Sequence, residues 1–350
     1  MPARAARRPQ PPSGEFGLIR SLQQRFARPD RDVLCGIGDD TAVLRTSSAE
    51  QTLITTDLLA EGVHFDLRSS SFEDIGYRAA MANLSDIAAM GGVPRFLLVA
   101  LAVPATCSGL QIGRLYRGIM QAAAPYHVRL VGGDTSSSRQ GLFLSITLTG
   151  TTRPGRALLR SGARAGDLLY VTGTLGDSHA GLSLMTTHRR FRRRLRLSEV
   201  RFLLGRHHRP TARVAEGQWL ASQGFATAAI DLSDGLSGDV RHICEESGVG
   251  VIIDAASLPL SPACLAFAQA ARLTPERLAL TGGEDYELLF TVPRAKQERF
   301  TRMAARTPFR FTRIGEVTAK REGLRLHEVT GARRPLPALS YEHFLRPSTT

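Results

Sequence analysis

FEDIGYRAAMANLSDIAAMGGVPRFLLVALAV, residues 72–103, decides the fold class. Its first part predicts a helix over 72–90, with Gly91-Gly92 and then Pro94 as the usual stop signal. The apolar run FLLVALAV at 96–103 follows at strand length, so a helix feeds directly into a buried strand. The alternation extends both ways. Upstream, a helix is expected over 15–26 and a strand over 53–56 that ends at Asp57. Downstream come a helix over 110–124 and strands over 128–131 and 142–149. TTRPGRALLRSGARAGD at 151–167 carries three glycines and a proline in a polar stretch, a plausible boundary. Beyond it, strands are expected over 168–172, 226–230, 249–253, 287–292 and 309–317. Helices are expected there over 176–187, 213–223, 236–246 and 295–305. Mixed elements in both halves of a 350-residue chain indicate an α/β (α+β) fold in two domains. The division expected is a basic leader at 1–13, an N-terminal domain at 14–150 and a C-terminal domain at 151–350.

Composition narrows the function classes. With 43% hydrophobic and 22% charged residues, the chain reads as ordinary soluble material. No apolar run approaches the roughly 18–20 residues of a membrane helix. The leader MPARAARRPQPPS has no apolar core, so it reads as a disordered extension and not a secretory signal. Cys35, Cys107, Cys244 and Cys264 form no CxxC pair and read as reduced thiols in a cytoplasmic protein. The net charge of +13 is carried almost wholly by arginine, since Lys296 and Lys320 are the only lysines. The run HRRFRRRLR at 188–196 reads either as a patch for RNA or an acidic partner, or as a solvated helix face. No aromatic residues interleave with the bases in a recognition signature, and aromatic content is 6%. The solvated face is therefore preferred and no nucleic-acid partner is expected.

Seven aspartates punctuate the apolar runs: Asp39 and Asp40 in GIGDD, Asp57 in LITTD, Asp86 in NLSDIAAMGG, Asp134 in LVGGD, and Asp231 and Asp234 in IDLSDG. Carboxylates beside Gly or Thr at element ends are poor core material and good ligands for hard cations such as Mg²⁺, which commonly arrives with phosphate. GIGDDT is superficially similar to a dinucleotide loop. Two aspartates would repel a pyrophosphate there unless metals intervene, and no clean strand precedes them. Asp39 reads as the turn residue that sets Asp40 in place. Thr55, Thr56 and Asp57 offer three oxygen donors in a row, and seven residues beyond Asp57 comes His64 in GVHF. Asn83 and Asp86 share one face of an apolar helix, where a polar group must be hydrogen-bonded or metal-bound. Gly132-Gly133-Asp134-Thr135, Asp231–Gly235 and Gly282-Gly283-Glu284-Asp285-Tyr286 are further acid-bearing glycine loops. GxxxxGK[ST], the protein-kinase motifs, GxSxG and HExxH are all absent, and His and Cys do not cluster at zinc spacing.

GEFGLI at 14–19, GIGDD, TTD with GVHF, NLSDIAAMGG, VGGDT, RSGARAGD, YVTGTLGDS at 170–178, IDLSDGL and GGEDYEL occur in this order. Together they resemble the thiamine-monophosphate kinases of the aminoimidazole ribonucleotide synthetase superfamily, over residues 14–344. The selenophosphate-forming sibling carries a reactive Cys or selenocysteine in an N-terminal loop, and the hydrogenase-maturation sibling ends in Cys. This chain has no Cys before Cys35 and ends RPSTT. The resemblance implies ATP-dependent conversion of thiamine monophosphate to thiamine diphosphate by direct in-line transfer, assisted by several Mg²⁺ ions. It implies Mg²⁺ ligation by Asp40, Thr55, Thr56, Asp57, Asp86, Asp134, Asp231 and Asp234. ATP would be held by Tyr116, Gly133, Asp134, Arg160 and Ser233, and the thiamine phosphate by His64, Glu284 and Tyr341. It also implies a two-domain aminoimidazole ribonucleotide synthetase-like fold, with N-terminal domains pairing into a barrel-like sheet across a homodimer. Two alternatives stay open at this point. One is another ATP-dependent member of the superfamily; the other is a nucleic-acid binder, motivated by a pI near 10.6.

Overall fold

The computed structural model describes residues 14–26 and 30–337. The leader at 1–13 and Tyr341 lie outside the described residues. Elements are numbered in chain order. The first half holds α1 (Gly14–Phe26), β1 (Val33–Cys35), β2 (Ala42–Arg45), β3 (Gln51–Ala60), α2 (Phe72–Ala89), β4 (Val93–Pro104), α3 (Gly109–Ala123), β5 (Arg129–Ser138) and β6 (Phe143–Thr152). The second holds β7 (Leu168–Thr172), α4 (Asp177–Met185), α5 (Leu197–His208), α6 (Val214–Gln223), β8 (Ala228–Asp231), α7 (Leu236–Ser247) and β9 (Val249–Asp254). It continues with α8 (Pro262–Ala271), α9 (Pro275–Thr281), β10 (Leu288–Val292), α10 (Gln297–Ala304), β11 (Phe311–Ala319), β12 (Leu324–His327) and β13 (Arg333–Pro335). Six strands form one sheet in the order β1-β2-β3-β6-β4-β5, and seven form a second in the order β13-β12-β9-β11-β7-β10-β8. The expected boundary at 150/151 falls inside β6, and the segment 153–167 joins the two sheets.

α2 is the wall between them. Ser71 caps it by accepting the Asp74 N–H at 3.1 Å, and Gly91 follows it in the left-handed conformation. Its buried residues occupy more than one face, as expected of a helix covered on several sides. Glycine lets its neighbours come close. A Cβ on Gly118 of α3 would sit 1.8 Å from the Glu73 carbonyl, and one on Gly217 of α6 would sit 2.0 Å from the Ala88 carbonyl. One apolar core accordingly joins both halves: Leu53, Ile87 and Val99 pack in the same cluster as Leu168, Phe290 and Phe300.

Two strands outrun their sequence expectation. β3 does not stop at Asp57; it pairs residue for residue with β6 through Ala60. β5 continues through Gly132-Gly133-Asp134-Thr135, which are strand residues and not a loop. The Gly, Ser and Thr content of β5 conceals the alternation by which strands are read, whereas β3 runs past a carboxylate that reads as its end. The short β1 does precede GIGDD, contrary to expectation. The arginine run forms a 3-10 helix (Arg189–Arg194) with Phe191 buried and Arg189, Arg190, Arg193 and Arg194 exposed.

Gly118→Ala forces a methyl group into the Glu73 carbonyl. It is expected to destabilise the protein by about 1–3 kcal/mol, lowering the urea midpoint at an unchanged m-value. An unaltered midpoint would show that α2 and α3 are not in obligatory backbone contact.

Candidate active site

A cleft of about 1120 Å³ opens between the two sheets. α2 presents Arg78, Ala82 and Asp86 to it, one stripe at i, i+4 and i+8 that spans roughly 12 Å of helix. β3 contributes Asp57, the end of β8 Asp231, and the following loop Ser233 and Asp234. His64 stands on the loop after β3, and Glu284 on the loop before β10.

At one end the carboxylates converge. Asp40, Asp86 and Asp231 each place an oxygen within 4.8 Å of the others. Asp40 is 7% exposed and Asp231 3%. Each is held by its own donor. The Arg160 guanidinium grips Asp40 Oδ1, with Nε at 3.1 Å. Thr55 Oγ1 donates to Asp86, and Ser85 Oγ donates to Asp231 Oδ2 at 2.7 Å. Asp40 Oδ2 is buried and has no hydrogen-bond partner among the described residues. Burial raises all of these acids. Asp57 is pushed up to about 6, and Asp231 to about 8 by burial and then the charge of Asp40. Asp86 rises well above the carboxylate range through burial and then Asp57, Asp231 and Asp40. Burial raises Asp40 too, against the lowering pull of Arg160. All-oxygen donors, mutual repulsion and an orphaned oxygen suit hard cations, which would replace the missing counter-charge.

At the other end Arg78, 3% exposed, gathers three partners. Its guanidinium donates to the His64 carbonyl, lies 2.7 Å from His207 Nε2 and stands 3.5 Å from Glu284 Oε2. His64 Nδ1 accepts the Ala60 N–H at 3.0 Å, which places the proton of a neutral ring on Nε2. Glu284 is held at φ +64°, and its N–H donates to the Ser233 carbonyl at 2.8 Å, joining two of the acid loops.

The structure thus brings Asp40, Thr55, Asp57, Asp86, Asp231, Ser233, Asp234, His64, Glu284 and Arg160 around one cleft or its acidic end. It does not bring Asp134 there. Asp134 shares a cross-sheet row with Ala100, Ser145 and Leu58 on the exposed face of the first sheet. Thr56 lines the cleft, yet its hydroxyl bonds along that exposed face, accepting from Thr147 Oγ1 at 3.1 Å and donating to the Ile146 carbonyl at 3.2 Å. Gly133 packs on the Val99 carbonyl, where a Cβ would come within 1.9 Å. Tyr116 sits on α3 against the core, outside the cleft lining.

Three acids of the motifs are structural. Asp39 accepts the N–H groups of Asp40 and Arg160, at 3.0 and 3.2 Å, and so builds the Asp40 turn. Asp285 accepts the Gly176 and Ser178 N–H groups at the start of α4. Glu287 is buried among Thr172, Arg206 and Arg213. Sequence reasoning missed Arg78, His207 and Asp239. Asp239 accepts the Asp234 and Gly235 N–H groups at 3.3 and 3.1 Å and shapes that loop. Arg78 had one available signal, a charged residue two turns before Asp86 in an Ala-rich helix.

Residues 38–152 match the family model of the AIR synthase related protein, N-terminal domain, and residues 164–327 that of its C-terminal domain. The thiamine-monophosphate kinase of Bacillus subtilis (strain 168) is 37% identical over 332 residues, 94% of this chain and 99% of the relative. That of Escherichia coli (strain K12) is 39% identical over 340 residues, 95% and 99% of the two chains. A solved structure described as AaThiL complexed with AMPPCP and TMP superposes with a TM-score of 0.81 at 36% identity, covering 95% of this chain and 97% of that one.

The acid cluster fixes a pH dependence. Asp57 and Asp231 bind protons more tightly folded, at about 6 and about 8, than at the ordinary 3.8. Their contribution is therefore full at low pH and lost as pH rises through those values. Metal-free protein should lose thermal stability between about pH 4 and 8 from this cluster, and millimolar Mg²⁺ should restore it at pH 8. Melts with EDTA or Mg²⁺ check this; a melting temperature at pH 8 indifferent to Mg²⁺ would sink the cation assignment.

Proposed function

The chain belongs to the thiamine-monophosphate kinase family of AIR synthase related proteins, and we propose that it transfers the γ-phosphoryl group of ATP to thiamine monophosphate, giving ADP and thiamine diphosphate. The observation that carries this is the convergence of carboxylates from both halves at one end of a cleft whose other end bears His64 and Glu284. The neighbour bound to AMPPCP, an ATP analogue, and TMP supports the same pair of reactants.

Asp40, Thr55, Asp57, Asp86, Asp231 and Asp234 would hold several Mg²⁺ ions. When bound, these neutralise the triphosphate and the acceptor phosphate, which otherwise repel. The chain itself positions and screens. Arg160, locked by Asp40, would keep a guanidinium beside the acids for ATP, and Ser233 lines the same cleft. His64 Nε2–H and the Glu284 carboxylate would orient the thiamine phosphate. An acceptor phosphate oxygen is already anionic, so in-line transfer needs no general base and no phosphoenzyme. Tyr116 and Tyr341 enter the proposal through the family resemblance alone.

We place the N-terminal ATP- and metal-binding domain at 14–150, the C-terminal domain at 151–350 and a leader at 1–13. The first domain would also dimerise. β5 is an edge strand of ten residues, nearly all exposed, and Leu58, Phe96, Leu98 and Phe143 are exposed on the same sheet. A long open edge beside an apolar face invites pairing with another chain, and a second copy closing a barrel-like sheet fits both. Gly133, Asp134 and the Thr56 hydroxyl would then meet nucleotide and metal where two copies join. Among the described residues no helix is long and apolar enough to cross a membrane. Cytoplasmic residence is proposed from the unpaired thiols.

Purified protein with Mg·ATP and thiamine monophosphate is expected to yield thiamine diphosphate by chromatography. Asp57→Asn should lower turnover by about 10²–10³-fold or more while remaining folded. Absence of product across a Mg²⁺ series, or a near-native Asp57→Asn rate, overturns the proposal or that residue's role respectively. Sedimentation should find a dimer that Leu98→Arg converts to monomer. A monomeric wild type, or a dimeric Leu98→Arg, would remove the sheet-pairing assignment.

A further inference from the structure

Glu284 does not stand alone at its end of the cleft. Its Oε2 lies 3.5 Å from Arg78 Nη1 and 3.4 Å from His207 Nδ1. Among the described residues no hydrogen bond engages its Oε1, and the side chain is 28% exposed. Arg78 comes from α2 in the first half, whereas His207, on α5, and Glu284 come from the second. The same guanidinium also donates to the carbonyl of His64.

We infer that Arg78, backed by His207, is a positioning residue: it ties the His64 loop and the Glu284 loop to one guanidinium across the two halves, and so sets the Glu284 oxygen left for the acceptor substrate. This rests on the proposed kinase function. The chemistry of the pair dictates its geometry. Arginine only donates, so His207 Nε2, 2.7 Å from Arg78 Nη1, must carry the lone pair. Its proton then sits on Nδ1, which faces Ser178 Oγ at 3.1 Å and Glu284 Oε2. Protonation of Nε2 would set N–H against N–H, so the ring is held neutral. Burial, followed by the Arg78 charge, likewise drives its pKa well below the usual value. Glu284 Oε2 is thereby engaged from two sides, and Oε1 remains for a cationic or N–H-bearing part of the ligand. Lysine cannot replace this fork, because a point ammonium does not reach three acceptors in fixed directions.

The test measures steady-state kinetics and calorimetric binding of thiamine monophosphate for Arg78→Lys, Arg78→Met, His207→Leu and His207→Gln, with a melt of each to establish folding. Arg78→Met is expected to raise KM and Kd for thiamine monophosphate by about tenfold or more, with KM for ATP unchanged. Arg78→Lys, the gentler variant, should show the same selectivity to a smaller degree. His207→Leu should behave like Arg78→Met, and His207→Gln, which keeps an acceptor for Arg78 and an N–H, should be rescued. KM values for both substrates moving together, or neither moving, overturn the positioning role while the kinase proposal stands. A wild type that neither binds nor phosphorylates thiamine monophosphate sinks both.

Discussion

Three carboxylates within 4.8 Å of one another, two buried and one half-buried, are the constraint around which the rest is arranged. Like charges at that distance in a poorly solvated site oppose folding, and the chain answers with one donor for each. Arg160 serves Asp40, Thr55 serves Asp86 and Ser85 serves Asp231. The donors come from the segment after β6, from β3 and from α2, so the compensation requires both halves in place. It is also incomplete. One donor per carboxylate leaves oxygens turned on one another, with Asp40 Oδ2 buried and orphaned. A closed ion-pair network would have no need of a cation, whereas this arrangement has a deficit of positive charge at its centre.

α2 carries that deficit at one end and a paired guanidinium at the other. Asp86 faces the acids, and Arg78, two turns earlier on the same stripe, faces His64, His207 and Glu284. Between them lies only Ala82. The helix is thus a ruler roughly 12 Å long, with a cation-seeking end and a guanidinium end. Its glycine-mediated approaches to α3 and α6 keep that ruler from sliding, since a shift of one residue would turn both groups out of the cleft. Gly118 and Gly217 on the neighbouring helices therefore serve position as much as packing.

The sequence made most of this fold legible because its punctuation is strong. The Gly91-Gly92 stop, the apolar run of β4 and the acid-bearing loops after β8 and before β10 lie where expected, and Asp86 was identified by the absence of an outward face around it. Its companion Asn83 had the same signal and a different fate: its amide donates to the Ala79 carbonyl at 3.1 Å within the helix, away from the acids. Its Oδ1 is buried without a hydrogen-bond partner among the described residues, and local pattern cannot separate a buried polar group bonded within its own helix from one that reaches across the molecule. Nor could it find His207, which meets Arg78 across 129 positions of sequence. The part of β5 beyond Val131 was missed for a different reason: an edge strand built from Gly, Ser and Thr buries little and carries no apolar period. The end of β3 was missed because Asp57 reads as a strand terminus, although Leu58, Leu59 and Ala60 continue the ladder with β6.

Strand register also divides the acid set in a way no count of aspartates reveals. Asp57 and Thr56 are adjacent in β3, and alternation sends them to opposite faces: Asp57 toward α2, the Thr56 hydroxyl toward Thr147. Asp134 lies on the Thr56 side, in the row of Ser145 and Leu58, on the edge strand of the sheet among the described residues. No side-chain rotation carries Asp134 through the sheet to the acids around Asp86. A role for Asp134 in the same chemistry therefore demands that nucleotide reach around the sheet edge, or that a second copy cover that face. The exposed Leu98 and Phe96 beside it favour the second, because an apolar face left in water gains free energy when another sheet covers it. On the proposed pairing of two copies, the sequence motif VGGDT would be part of an interface that one chain cannot complete.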